Sequence, residues 1–176
     1  MISLPRDQAD TVWQKYWDDM RSEWFKVELL QDYSGEDDNQ SLRLWLRGDK
    51  AAAIRAMSAA EFGEWPKFCR SNPAKKVRLH VVEWPLSAYL EWEIELYKRR
   101  NIPEAKEAIH LVDRSDLPNL DLPNADFTIF DGQRVTKASY DTGGRMVSMD
   151  FYNEADDISV FLGLKEKLLK HATLLS

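Results

Sequence analysis

The residues best placed to do chemistry lie in Tyr89-Leu90-Glu91-Trp92-Glu93-Ile94-Glu95-Leu96-Tyr97. At about 100° per residue a helix here gathers Leu86, Tyr89, Leu90, Trp92, Ile94, Leu96 and Tyr97 on one broad apolar face. Glu93 falls at the middle of that face, while Glu91 and Glu95 point to solvent. A carboxylate in such surroundings needs a cationic partner, a proton or a ligand. Two readings follow. Glu93 forms a buried ion pair with Arg78, Arg134 or Arg145, or it is a ligand- or partner-binding carboxylate flanked by Tyr89 and Trp92. The candidate binding set is therefore Glu93, Arg78, Tyr89, Trp92 and Arg134.

The remaining reactive side chains suggest less. His80, His110 and His171 show no paired metal-ligand spacing, and the single cysteine, Cys69, builds no zinc finger or disulfide. A metal site of His80 plus carboxylates is conceivable, yet His80 on the polar side of a strand reads as a surface or ion-paired residue. No metal and no cofactor is expected. Cys69 follows Trp65 and Phe68 and reads as core. The chain holds no G-x-S-x-G, and Gly143-Gly144 reads as a turn rather than a phosphate loop. Two or three of Asp126, Asp131, Asp141, Asp150 and Glu36-Asp37-Asp38 would converge on a divalent ion in a carboxylate-metal nuclease, but Asp131 and Asp141 have sufficient turn-forming roles and the acidic run reads as a solvated loop. With no catalytic set, a non-enzymatic role is expected.

The elements that must position these residues follow from periodicity. After Pro5, the residues Ala9, Val12, Trp13, Tyr16, Trp17 and Met20 repeat at helical spacing. In Trp24 to Tyr33, Phe25, Val27 and Leu29 alternate with Lys26 and Glu28 as in a strand. Leu42 to Leu46 fits helix or strand, and Asp49 to Met57 is helical by propensity. Ser58 and Glu61 have capping-box spacing before Phe62, Trp65 and Phe68, with Pro66 an awkward fit in that helix. Val77, Leu79 and Val81 alternate with Arg78 and His80 in a half-buried strand that breaks at Glu83-Trp84-Pro85. Ile109 to Val112 reads as a short strand, and Asp116 to Asn124 as a loop. Asp131-Gly132, flanked by Phe127 to Phe130 and Arg134 to Thr136, marks a tight hairpin. A second turn at Asp141 to Gly144 leads into Met146 to Phe151, completing an antiparallel meander. A last helix, capped by Asp156 or Asp157, buries Ile158, Phe161, Leu162, Leu164, Leu168, Leu169 and Ala172. The expected fold is α+β, with a mixed or antiparallel sheet, a C-terminal meander and helices mainly on one face. Residues 1–22 are expected as an N-terminal amphipathic helix, and 23–176 as one domain.

Composition limits the partners. The net charge of −6 disfavours nucleic acid as a direct ligand. No apolar run approaches the roughly 20 residues that span a bilayer, and no apolar leader follows Met1, so a cytoplasmic protein is expected. Seven tryptophans in 176 residues is a load that invites a protein partner or a homodimer. Trp13, Tyr16 and Trp17 are the candidate interface stripe.

One run carries a resemblance. Phe25-x-x-Glu28…Tyr33, Leu46-x-Gly48, Trp65 and Arg78…Val81-Val82-Glu83-Trp84-Pro85-Leu86-Ser87-Ala88-Tyr89-Leu90-Glu91-Trp92-Glu93, followed by Asp126-Phe127-Thr128-Ile129-Phe130-Asp131-x-x-Arg134-Val135 and Tyr140-Asp141-x-x-Gly144-Arg145, resemble an uncharacterised actinobacterial family of unknown function. Its members are often encoded beside helix-turn-helix regulators. The resemblance implies a regulatory or interaction domain, accessory to a transcription regulator of that kind. The alternative is a small-molecule sensor or enzyme with its pocket between the central helix and the meander.

Overall fold

The computed structural model describes residues 1–36, 39–57 and 63–176. Asp37 and Asp38 of the acidic run, and Ser58, Glu61 and Phe62 of the expected capping box, lie outside the described residues. The elements in chain order are β1 (Ile2–Pro5), α1 (Arg6–Asp19), β2 (Glu23–Glu28), α2 (Gln40–Leu46), α3 (Lys50–Ala56), α4 (Glu64–Ser71), β3 (Lys75–Val82), α5 (Ala88–Leu96), β4 (Glu107–Asp113), β5 (Asp126–Phe130), β6 (Arg134–Tyr140), β7 (Met146–Tyr152), α6 (Ala155–Leu169) and β8 (Thr173–Leu174).

Among the described residues one eight-stranded sheet runs β1-β7-β6-β5-β2-β3-β4-β8. Strands β2, β3 and β4 are mutually parallel, because helices connect them, while the meander β5-β6-β7 is antiparallel. The fold is thus α+β on a mixed sheet. The Asp131-Gly132 turn closes the β5–β6 hairpin with both residues at positive φ, 54° and 69°, the geometry of a type I′ turn. β1 pairs with β7, so the N-terminal residues are part of the same sheet.

Both faces of the sheet are covered. On one, Phe25, Val27, Val77, Leu79, Val81, Phe127 and Ile129 meet Ile158, Phe161 and Leu168 of α6. On the other, α1 and α4 pack an aromatic layer of Tyr16, Trp17 and Trp24, and α2, α3 and α5 close around Trp45, Tyr89, Leu90 and Trp92. The stripe Trp13-Tyr16-Trp17 therefore faces inward. Trp17 is 1% exposed and Tyr16 7%, and Trp13 stacks on Trp17 and Phe68 at 5.5 and 6.0 Å. The expected exposed interface is absent because the sheet itself supplies the apolar partner.

The structure also settles or corrects local details. Leu42 to Leu46 is helical, with Asn39 accepting from the Leu42 N–H. Pro66 sits in the first turn of α4, where its missing N–H costs nothing. α6 begins after Glu154 without a side-chain cap, and Asp156 and Asp157 occupy its first turn, where they suit the helix dipole.

Candidate functional site: a buried charged cavity

Alternation in β2 and β3 sends Phe25, Val27, Val77, Leu79 and Val81 to the α6 side, so Lys26, Glu28, Arg78 and His80 must share the opposite face. The parallel register sets Lys26 beside Arg78 and Glu28 beside His80. That face is roofed by α1, α4 and α5, so these polar residues are interior. His80 is 0% exposed, Glu28 3% and Arg78 7%.

Ser87 caps α5 by accepting from the Leu90 N–H. The four-residue spacing of Tyr89, Glu93 and Tyr97 then lines one side of the helix toward the sheet. After Leu96 the helix widens into a π-helical turn, Tyr97–Asn101, a distortion common at functional sites. It brings both Tyr97 and Asn101 over the polar strand face.

Arg78 organises the network. Its Nε donates to Glu107 Oε2 at 2.8 Å and its Nη1 to Glu28 Oε1. The guanidinium also lies over Trp24, Trp65 and Tyr97 at 5.4, 5.8 and 5.4 Å from the ring centres, within cation–π range. Glu107 accepts further from Asn101 Nδ2 at 2.8 Å and from the Trp65 indole. Burial opposes the charged form of Glu28, yet Arg78 and Lys26 outweigh it and hold the carboxyl well below the usual range. Burial likewise opposes the Arg78 charge, and Glu107 with Glu28 reverses the balance.

A second cluster stands beside it. Asp126 accepts from the Tyr33 hydroxyl at 2.9 Å, the Tyr140 hydroxyl at 2.8 Å and the Leu29 N–H at 2.8 Å. Burial raises the Asp126 pKa nonetheless. Between the two clusters, α5 and the meander flank a partly open cavity of about 350 Å³. Its walls include Glu28, Arg78, Tyr89, Glu93, Tyr97 and Tyr140, and its meander side is Thr136, Ala138, Met146 and Met149.

The structure brings Glu93, Arg78 and Tyr89 to this cavity and leaves Trp92 and Arg134 elsewhere. Glu93 does not meet an arginine among Arg78, Arg134 and Arg145 as a salt bridge. Its Oε2 lies 3.4 Å from His80 Nδ1, and the Tyr89 hydroxyl is 3.3 Å from its Oε1. Trp92 turns toward α2, where its indole donates to Ser41 Oγ at 2.9 Å. Arg134 sits at the hairpin end, pairs with Asp19 at 3.1 Å and stacks on Tyr16. Arg145 reaches the Gly35 carbonyl. Sequence reasoning missed Glu28, Glu107, Tyr97, Asp126 and the buried place of His80. Two signals were present: Glu28 shares the parity of Lys26, and Tyr97 follows Glu93 by four.

Of the described residues, Glu28, His80 and Glu93 form the one set whose donor atoms lie close enough together, all within 4.8 Å, to hold a metal ion.

Fold and site define a mixed-sheet α+β domain with a partly open, charge-lined cavity. The chain belongs to the family described as domain of unknown function DUF6879, whose model matches residues 11–176. No curated protein matches the sequence. Among solved structures it is similar to NucT from Helicobacter pylori, at 10% identity and a TM-score of 0.52 over 98% of this chain and 97% of that one. Nuc from Salmonella typhimurium, a phospholipase D family member, matches at 9% identity and a TM-score of 0.49, over 98% of this chain and 95% of that one. TrmBL2, an archaeal chromatin protein with a novel mode of DNA binding, matches at 13% identity and a TM-score of 0.48; the match spans 98% of this chain but only 53% of that one. The likeness to NucT concerns the fold alone. No helix among the described residues is long and apolar enough to cross a membrane.

Proposed function

We propose that this domain is a non-catalytic regulatory module that binds a small molecule in the cavity between α5 and the meander. The observation that carries the reading is the cavity itself. About 350 Å³ of space is lined by charged and aromatic side chains, several of them held by hydrogen bonds to one another. Ligand sites are concavities of this scale, with a few placed polar groups on an apolar wall. Glu28, Glu107 and Asp126 are already engaged by Arg78, Asn101, Tyr33 and Tyr140. Groups so committed favour recognition over the proton shuttling or nucleophilic attack of a catalyst. The output passes to a protein partner of the helix-turn-helix regulator kind. Trp84, 63% exposed at the entry to α5, is a surface from which a partner can read the state of that helix.

The test is a thermal-shift panel of amino acids, nucleosides, polyamines and short carboxylic acids, run beside native mass spectrometry of the purified protein. A cavity ligand at 100 times its Kd adds about 2.7 kcal/mol, which for a chain of this length raises Tm by about 5–10 °C. Ala138→Leu, which fills the meander wall, should abolish the shift. If no compound binds, or binding is indifferent to Ala138→Leu, the reading is wrong.

A further inference from the structure

We infer that Glu28, His80 and Glu93 form a divalent-cation site at the base of the cavity; this rests on the cavity being a ligand site and names what anchors the ligand there. The argument begins with the imidazole. His80 Nε2 lies 2.8 Å from the Leu30 carbonyl oxygen. A carbonyl only accepts, so Nε2 carries the hydrogen and, in the neutral ring, Nδ1 presents its lone pair.

That lone pair faces oxygens. Glu93 Oε2 is 3.4 Å away, Glu28 Oε2 3.5 Å and Tyr97 Oη 3.3 Å. The Tyr97 hydroxyl donates to Glu28 Oε2 at 2.6 Å, so its proton is directed away from the ring. Three acceptors thus converge on one buried point, an arrangement that a low-dielectric interior penalises unless positive charge sits between them. An imidazolium would answer it, but the 3.4 and 3.5 Å from Nδ1 to the two carboxylates are longer than a normal N–H···O hydrogen bond.

A metal ion answers it better. Two donors bound tetrahedrally at about 2.1 Å stand about 3.4 Å apart, the separation that Nδ1 keeps from each carboxylate. The Nε2–H to Leu30 carbonyl bond is the outer-sphere support that orients metal-bound histidines. Glu28 divides its oxygens accordingly: Arg78 and Lys26 hold Oε1, while Oε2 turns to His80. Arg78 is itself countered by Glu107, which lessens its repulsion of a cation. One nitrogen and two carboxylate oxygens suit a first-row divalent ion such as Zn²⁺ or Mn²⁺ over Mg²⁺ or Ca²⁺, which prefer oxygen alone. Glu28 and Glu93 line the cavity, so the coordination position between them opens toward the space where the ligand sits, and an oxygen donor on that ligand would complete it.

The full chain, stripped with chelator, is titrated with Zn²⁺, Mn²⁺ and Mg²⁺, and metal content is read by mass spectrometry after gel filtration. One Zn²⁺ or Mn²⁺ per chain is expected, with Mg²⁺ bound far more weakly. Glu93→Gln, with folding checked by circular dichroism, should weaken Zn²⁺ by at least the roughly 10- to 100-fold that loss of an outer-sphere partner alone costs. Nitrogen NMR of histidine-labelled wild type needs no variant: Zn²⁺ should shift the Nδ1 resonance of one histidine, that of His80. No retained metal, an unmoved His80 Nδ1 signal, or full affinity in Glu93→Gln would overturn the inference. An organic ligand that binds the cavity of metal-free protein, with no metal taken up, refutes the cation site alone; metal uptake with no organic ligand in the panel refutes the sensor reading alone.

Discussion

Replacing Arg78 with methionine removes a group that bonds both Glu28 and Glu107. The guanidinium gives each a charged hydrogen bond and packs against Trp24, Trp65 and Tyr97. Methionine keeps much of the volume but leaves two carboxylates, each 3% exposed, without that cation. Breaking a buried pair from one side costs about 3–5 kcal/mol, a large fraction of the roughly 5–15 kcal/mol that stabilises a typical domain. For a chain of this length Tm should fall by about 6–20 °C. Arg78→Lys keeps the charge but cannot reach both carboxylates with a planar fork, and should cost about 1.5–3 kcal/mol. Urea unfolding followed by tryptophan fluorescence reads both variants, with an unchanged m-value showing that the unfolding reaction is the same. Because Arg78 and Glu107 touch, Arg78→Met combined with Glu107→Gln should be less harmful than the sum of the two by about 1 kcal/mol or more. A loss below about 1 kcal/mol in Arg78→Met, or equal losses for Met and Lys, would show that the guanidinium does not hold the network together.

Two predictions concern the frame around the cavity. Burial pushes the Asp131 carboxyl up, but hydrogen bonds from the Ser22 hydroxyl and the N–H groups of Glu23, Arg21 and Ser22 outweigh it and bring the pKa to about 2. With an unfolded pKa near about 3.9, this stabilisation is complete above that pH and fades as pH falls toward 2. The urea midpoints of wild type and Asp131→Asn should therefore converge across that window, and a gap that stays constant would refute the assignment. Gly144 has φ of +74°, and a Cβ there would stand 2.6 Å from the Asp32 carbonyl oxygen. Gly144→Ala should cost about 1–3 kcal/mol in the same assay, and a neutral result would mean the two loops are not in contact.

Much of the scaffold was legible because its periodicities are local. The alternation of Val77, Leu79 and Val81 with Arg78 and His80 fixed a strand and its two faces, and Asp131-Gly132 fixed a hairpin. What alternation cannot say is which face meets water. The polar side of β3 looked solvated because Trp13, Trp65 and Tyr97, which help roof it, lie far away in sequence. Glu93 was recognisable as an anomaly, but its neighbour was not: Arg134 belongs to the meander, yet it pairs in register with Phe130 at the hairpin end, far from α5. Glu107 was hidden in a polar segment with no periodic signal. Trp13, Tyr16 and Trp17 form the stripe their spacing predicts, and only the identity of what covers it required the structure.

The two unlike sides of β2 and β3 have a consequence for how the chain finds its alignment. A slip of either strand by a single position would drive Lys26 and Glu28, or Arg78 and His80, into the greasy layer beneath α6 while lifting phenylalanine and valine into the ionic one. Most half-covered sheets penalise such an error once, on the dry side. Here it is penalised twice, so the ionic layer proofreads the pairing during assembly. Substitutions within that layer should for the same reason survive as compensated pairs rather than singly.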